Sequence, residues 1–278
     1  MTTLATGVHG TLVEPVGPSR AGVLVLAGSS GRVDVDRARL FARHGATALA
    51  LQWFGGPGQP AGICEVPLET FTRALDLLRD RAPGPLAVVG TSKGAEAALA
   101  VAVVDQRVDA VVALAPPSVV WANVGPGRDG VTYPYRSSWT WRGRPLPFVS
   151  YDEDWEPGPD PQSYLECYRR SLLLDPGRTA AATLDVVAAR ADLLLVAGED
   201  DRMWPSASSA RELGRLRHKA GRQVDVVCAA TAGHRVLLPG EPALAASTRL
   251  RYGGSEAADR ALGESAWGRI LPLLGLAQ

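Results

Sequence analysis

Leu86-Ala87-Val88-Val89-Gly90-Thr91-Ser92-Lys93-Gly94-Ala95-Glu96 decides how the rest of the chain is read. Leu86 to Gly90 is a short apolar run following Pro83-Gly84-Pro85, the pattern of a strand buried on both faces. Ala95 to Val104 is built of small, helix-forming residues. Between them, Gly90-Thr91-Ser92-Lys93-Gly94 fits G-x-S-x-G, a motif that recurs by chance but is specific between a strand and a helix. So sharp a turn forces its middle residue into a strained backbone conformation, and side chains in place of the glycines would collide with neighbouring backbone. The Ser92 hydroxyl is lifted clear of the sheet at a helix N-terminus, where dipoles favour developing negative charge. The bland alternative is an ordinary connection with a helix-capping serine.

The same alternation extends outward on both sides. Gly22 to Ala27 reads as a buried strand ending in the tight loop Gly28-Ser29-Ser30-Gly31. A helix over Val35 to His44 follows, with Gly45 where a C-cap is expected. Thr47 to Leu51 is the next strand and runs into the loop Trp53-Phe54-Gly55-Gly56-Pro57-Gly58. Leu68 to Arg81 is helical by its apolar spacing, and Val108 to Ala115 is a strand. Residues 4–14 suggest an antiparallel strand or hairpin at the sheet edge. The rhythm breaks over 116–182, rich in Pro, Gly, Arg and aromatic residues, which reads as a structureless insertion over the carboxyl edge of the sheet. It resumes with a strand over Ala191 to Gly198, a helix over about Ser206 to Ala220, a strand over Val224 to Cys228 and a helix over about Ser255 to Leu274. The expectation is an α/β fold: a single domain over 1–278, a mostly parallel sheet with helices on both faces, and an inserted cap at about 116–182.

Composition excludes several classes. The 278 residues are 46% hydrophobic and 21% charged, which supports a large core and argues against global disorder. Lys+Arg and Asp+Glu both number 29, so no broad basic surface is available for nucleic acid. The start lacks a basic, then apolar, leader, and the run Ala21 to Ala27 is far too short to span a bilayer. Cys64, Cys167 and Cys228 are scattered, with no C-x-x-C, so neither a metal site nor a disulfide framework is expected. A cytoplasmic protein with free thiols and no cofactor is the plain reading.

A nucleophilic serine needs a base, and the chain has 4 histidines. His9 falls in the edge strand, His44 at a helix end, and His218 in a charged helix beside Arg215, Arg217 and Lys219. His234 follows the last strand in Thr231-Ala232-Gly233-His234, at the sheet edge where ligands bind in open α/β folds. It is the candidate base. An acid must fix its tautomer. Gly198-Glu199-Asp200-Asp201 closes a strand; Asp201, past the strand end, is the choice and Asp200 the alternative. The order Ser92, Asp201, His234 is that of α/β-hydrolases. An oxyanion hole should use the N–H of Lys93 and that of Ser29, with Ser30 the alternative. The Gly28–Gly31 loop carries no dinucleotide or P-loop signature.

These residues resemble a known family. Gly90-Thr91-Ser92-Lys93-Gly94-Ala95-Glu96, with its Ser-Lys-Gly core, is similar to the catalytic domain of acyl-CoA thioesterases and bile acid-CoA:amino acid N-acyltransferases. Trp53 to Gly58 resembles the family's aromatic, Gly/Pro-containing segment, and Tyr133 to Pro147, with Gly143, Leu146 and Pro147, its Pro-rich insertion. Gly198-Glu199-Asp200-Asp201-Arg202-Met203-Trp204-Pro205 looks like the acid loop, whose second Asp the resemblance makes catalytic. Ala232-Gly233-His234 looks like the histidine loop, and Tyr252-Gly253-Gly254 and Trp267 resemble the C-terminal region. The resemblance implies an α/β-hydrolase fold and nominates Trp53, Phe54 and Trp204 as substrate-binding. It covers nearly the whole chain, so a stand-alone domain without the β-sandwich of the animal members is expected. Conjugating members carry Cys at the nucleophile, so Ser92 tilts the expectation toward hydrolysis.

The expected reaction is hydrolysis of an acyl thioester, on CoA or an acyl-carrier protein, through an acyl-Ser92 intermediate. Arg128, Arg136, Arg142 and Arg144 of the insertion are candidates to meet the phosphates of such a carrier, against a solvated surface as the plain reading. Acyl transfer to an amine or alcohol, hydrolysis of oxygen esters, and a non-catalytic binding module are the competing expectations.

Overall fold

The computed structural model describes residues 2–5, 7–243 and 245–276. Elements follow in chain order. An antiparallel hairpin pairs β1 (Thr2–Ala5) with β2 (Val8–Val13). Next come β3 (Ala21–Leu26), α1 (Val35–Arg43), β4 (Ala46–Gln52), a short β5 (Val66–Pro67) and α2 (Glu69–Arg79). They are followed by β6 (Leu86–Thr91), α3 (Lys93–Val104) and β7 (Ala110–Leu114). Then β8 (Trp139–Trp141), β9 (Arg144–Pro145), α4 (Leu165–Leu174) and α5 (Pro176–Ala182) lie within the aromatic segment. The last four are β10 (Asp192–Gly198), α6 (Ser206–Lys219), β11 (Val224–Ala229) and α7 (Glu256–Leu273).

Eight strands form one sheet in the order β1-β2-β4-β3-β6-β7-β10-β11. Pairing is antiparallel from β1 through β2 to β4 and parallel from β4 to β11. The β1–β2 hairpin forms at the edge anticipated for residues 4–14, with β1 outermost, so β2, which carries His9, is an inner strand. The apolar runs are continuous because both sheet faces are covered. In β3, Leu24 and Leu26 point to one core with Leu49, Leu51, Phe71 and Leu99, on the side of α2, α3 and α6. Val23 and Val25 point to the other, with Phe41, Trp267 and Ile270 of α1 and α7. Alternation along a strand produces this split, and each fully buried Leu or Val contributes roughly 1.5–3 kcal/mol.

The 116–182 stretch is more ordered than its composition suggests. It holds α4, α5 and the strands β8 and β9, which join β5 from outside the stretch in a three-stranded sheet. Isolated bridges Trp121↔Val149, Ala122↔Ser137 and Val119↔Thr183 stitch the rest. Such single bridges have no sequence period, which is why the stretch reads as irregular. The start of α5 was legible in principle: Asp175 accepts from Arg178 N at 2.8 Å and Pro176 occupies the first helical position.

Candidate active site

Thr91 ends β6 and Lys93 begins α3, so Ser92 alone makes the turn. Its φ of 56° and ψ of −120° are unfavourable for any residue with a side chain. The flanking glycines are steric necessities. A Cβ on Gly90 would lie 2.1 Å from the Gly94 carbonyl oxygen, and one on Gly94 would lie 2.5 Å from those of Leu26 and Ala27. Ser92 N–H donates to Leu114 O at 2.9 Å, tying the turn to β7.

Two further strand ends supply the other partners. The loops after β10 and β11 touch so closely that a Cβ on Gly198 would sit 2.2 Å from Ala232 O. Asp200 N–H donates to Ala232 O at 3.0 Å, and His234 N–H to Tyr252 O at 2.9 Å. These contacts bring His234 Nε2 to 3.0 Å from Ser92 Oγ and His234 Nδ1 to 2.8 Å from Asp201 Oδ2. Asp201 and His234 are both buried. The carboxylate only accepts, so Nδ1 carries the ring proton and Nε2 presents its lone pair to the hydroxyl. Asp201 Oδ1 accepts from the N–H groups of Met203 and Trp204, and Oδ2 also accepts the Ser206 hydroxyl at 2.6 Å. Asp200 points elsewhere: it accepts from Gly254 N and pairs with Arg202, and the Gly254 hydrogen bond holds its carboxyl below the ordinary range.

The Lys93 N–H lies in the first turn of α3, where no intrahelical acceptor exists. Ser29 borders both cavities that meet at Ser92 and His234, of about 700 and 570 Å³, whereas Ser30 borders only the larger. Trp204 lines the smaller, and its indole N–H donates to Ala115 O at 3.1 Å. Trp53 and Phe54 are not brought to the site. Trp53 is buried against Phe54, Phe71 and Trp139, and neither Trp53 nor Phe54 lines either cavity. An aromatic pair beside α2 and β8 gains more by joining the core than by facing solvent. The four arginines of the insertion also stay away from both cavities. Arg136 binds Asp129 and Glu65, Arg128 donates to Gly58 O, Arg142 lies over Trp141, and Arg144 is exposed in β9.

Sequence reasoning missed one feature altogether. The Lys93 side chain is buried, its Nζ 2.7 Å from Glu96 Oε2 and 2.8 Å from Ser138 Oγ. Glu96 Oε1 accepts from Trp121 N and from Trp139 Nε1. Burial pushes the lysine pKa down and the glutamate up, each opposed by the other's charge. The signal was available: α3 is apolar on every face, so it must be buried, and charges within it must be paired. Among the described residues, no three His, Cys, Asp or Glu side chains group as a metal site would require, and no helix is long and apolar enough to cross a membrane.

Residues 66–275 match the family described as BAAT / acyl-CoA thioester hydrolase C terminal. Acyl-coenzyme A amino acid N-acyltransferase 2 of Rattus norvegicus is 28% identical over 84% of this chain and 54% of its own length. Acyl-coenzyme A thioesterase 6 of Mus musculus is 37% identical over 34% of this chain and 24% of its own. The chain thus spans about half the length of the first of these relatives. Among solved structures, a thermostable carboxyl esterase from Bacillus coagulans superposes with TM-score 0.56 at 12% identity, covering 95% of this chain and 93% of that one. A dienelactone hydrolase-like phosphotriesterase from metagenomic libraries gives 0.56 at 15% identity, covering 94% and 89%. These superpositions show an α/β-hydrolase fold.

Proposed function

The chain belongs to the BAAT / acyl-CoA thioester hydrolase C-terminal family, and from that premise we propose that it is a serine hydrolase cleaving acyl thioesters through an acyl-Ser92 intermediate. Family and fold are those of an α/β-hydrolase enzyme. The observation that carries the reading is the continuous hydrogen-bonded path from Ser92 Oγ through His234 to Asp201. In this mechanism His234 Nε2 takes the hydroxyl proton as Oγ attacks the thioester carbonyl carbon. The resulting oxyanion accepts from Lys93 N–H and Ser29 N–H. The C–S bond then breaks, the leaving thiol receives the proton from His234, and the acyl group stays on Ser92. Water, deprotonated by His234, attacks the acyl-serine; the acid leaves and Ser92 regains its proton. Asp201 orients the imidazole and stabilises its cation.

The carrier of the acyl group is CoA or the phosphopantetheine arm of an acyl-carrier protein. A cytoplasmic setting fits the three cysteines, which are all free. A second reading, transfer of the acyl group to an amine, draws support from the N-acyltransferase relatives. Both reactions share the acyl-enzyme. The test is intact-mass spectrometry after mixing the full chain with a panel of acyl thioesters and matched oxygen esters, with peptide mapping of the adduct. A mass increase equal to the acyl group on Ser92, decaying in water alone, is expected. Decay only when an amine is added would favour transfer. Turnover by Ser92→Ala at the rate of the unaltered chain would overturn the proposal.

A further inference from the structure

The smaller cavity has an unusual wall. Starting at His234, aromatic rings follow one another outward without a gap. Trp204 meets His234 at 5.7 Å between centroids, Tyr168 meets Trp204 at 5.5 Å, and Tyr151 meets Tyr168 at 5.6 Å. Tyr135 then meets Tyr151 at 5.1 Å, and Tyr133 meets Tyr135 at 4.7 Å. The four contacts from His234 to Tyr135 cross at 76–89°, the edge-to-face arrangement that aromatic quadrupoles favour. Tyr151 donates to Ala122 O, and the Tyr133 and Tyr135 hydroxyls share one hydrogen bond. Burial raises the pKa of Tyr151 and Tyr168, so these phenols stay neutral. The wall therefore offers ring faces and edges together with neutral hydroxyls, and no charge.

Charge adds a second constraint. Two carboxylates border this cavity, Glu153 and Asp152, the latter paired with Arg170 at 2.6 Å, and Lys93 is the one Lys or Arg among its described lining residues. The Lys93 ammonium is held by Glu96 and Ser138. An acyl chain ending in a carboxylate would meet Glu153, while the nearby cations Lys93 and Arg170 are already engaged by Glu96 and Asp152.

We propose that this cavity receives the acyl group and that it selects an aromatic, uncharged one. The inference rests on the acyl-serine reading above and narrows its substrate class. A flat aryl group continues the edge-to-face series along the wall, whereas a straight aliphatic chain of equal carbon number gains only area burial.

The test compares three nine-carbon acyl thioesters of N-acetylcysteamine: 3-phenylpropanoyl, nonanoyl and nonanedioyl. Rates of release and the mass adduct on Ser92 are measured for each with the full chain. The expected kcat/KM for the aryl thioester exceeds that for nonanoyl by about 3- to 10-fold, the range that aromatic pairing supplies beyond area. Nonanedioyl is expected to be slowest, by about tenfold or more. Tyr135→Leu and, independently, Tyr168→Leu should each lower kcat/KM for the aryl thioester by a larger factor than for nonanoyl, so that the aryl preference shrinks. Equal rates for aryl and aliphatic thioesters, or faster turnover of nonanoyl, would overturn the inference while leaving the acyl-serine reading intact. Failure of all three to load Ser92 would instead overturn that reading, and this inference with it.

Discussion

The Ser206 hydroxyl donates to Asp201 Oδ2 at 2.6 Å, the same oxygen that lies 2.8 Å from His234 Nδ1. Asp201 thus accepts from four groups, two of them backbone N–H groups of its own loop. These four donors fix the carboxylate's orientation beside the imidazole. Asp201→Asn reverses the donor pattern at His234 Nδ1 and forces the wrong tautomer. A fall in kcat of about 10⁴-fold is expected, with little change in fold. Ser206→Ala leaves the tautomer alone and removes one bond to a charged acceptor, so it should cost about 1.5–3 kcal/mol of stability and far less activity. Paired urea melts and thioester kinetics on the two variants check this; equal losses of activity would show that Ser206 does more than satisfy the carboxylate.

Strain at Ser92 gives a second prediction. The residue sits at φ 56°, where a side chain costs on the order of 1–3 kcal/mol and glycine costs little. After the extra unfolded-state entropy of glycine, Ser92→Gly should exceed Ser92→Ala in stability by about 0.5–2 kcal/mol. Both should lack turnover. By contrast, Gly94→Ala pushes a methyl into the Leu26 and Ala27 carbonyls and should destabilise by about 1–3 kcal/mol or more. Thermal denaturation of the three variants under one buffer decides the order.

What was legible divides along physical lines. Strands such as Leu86 to Gly90 are continuous apolar runs that only a doubly covered sheet explains, and Ser92, Asp201 and His234 each follow such a strand within a few residues. Their neighbourhood is a consequence of topology, which periodicity reports. Trp53 and Phe54 are different: an aromatic pair after a strand has the same composition whether it faces a ligand or the core, and packing by Phe71 and Trp139 comes from distant sequence. The insertion was opaque for a related reason. Its order comes from single bridges and from hydrogen bonds to Glu96, a residue 25 positions before Trp121 and 43 before Trp139.

That same Glu96 joins the nucleophile turn to the insertion. Lys93 and Glu96 are a buried ion pair, and removing one partner strands the other charge away from water. Lys93→Met alone and Glu96→Gln alone should each destabilise by about 3–5 kcal/mol. Gln keeps an oxygen for the N–H groups of Trp121 and Trp139, so the double variant Lys93→Met/Glu96→Gln should lose much less than the sum of the singles. Denaturant melts of the four proteins measure the coupling; additive losses would mean that the two charges do not stabilise each other.

The last prediction concerns acid. Arg37 grips Glu241 with two hydrogen bonds, at 2.6 and 2.8 Å, and also donates to Thr91 Oγ1 and Val236 O. Burial alone would raise the Glu241 pKa, but the guanidinium charge and its hydrogen bonds outweigh burial and hold it below the ordinary 4.5. A carboxyl with a depressed pKa in the folded state binds its proton more readily when unfolded, so it stabilises the fold above about 4.5. That contribution fades as pH falls through the folded-state value. Glu241→Gln mimics the protonated side chain at every pH. The stability difference between the unaltered chain and this variant should therefore be full at pH 6–7, shrink below about pH 4.5, and vanish once Glu241 is protonated in the fold. Urea melts across that range measure it. A difference that persists undiminished at the acid end would show that Glu241 does not stabilise the fold through its charge on Arg37.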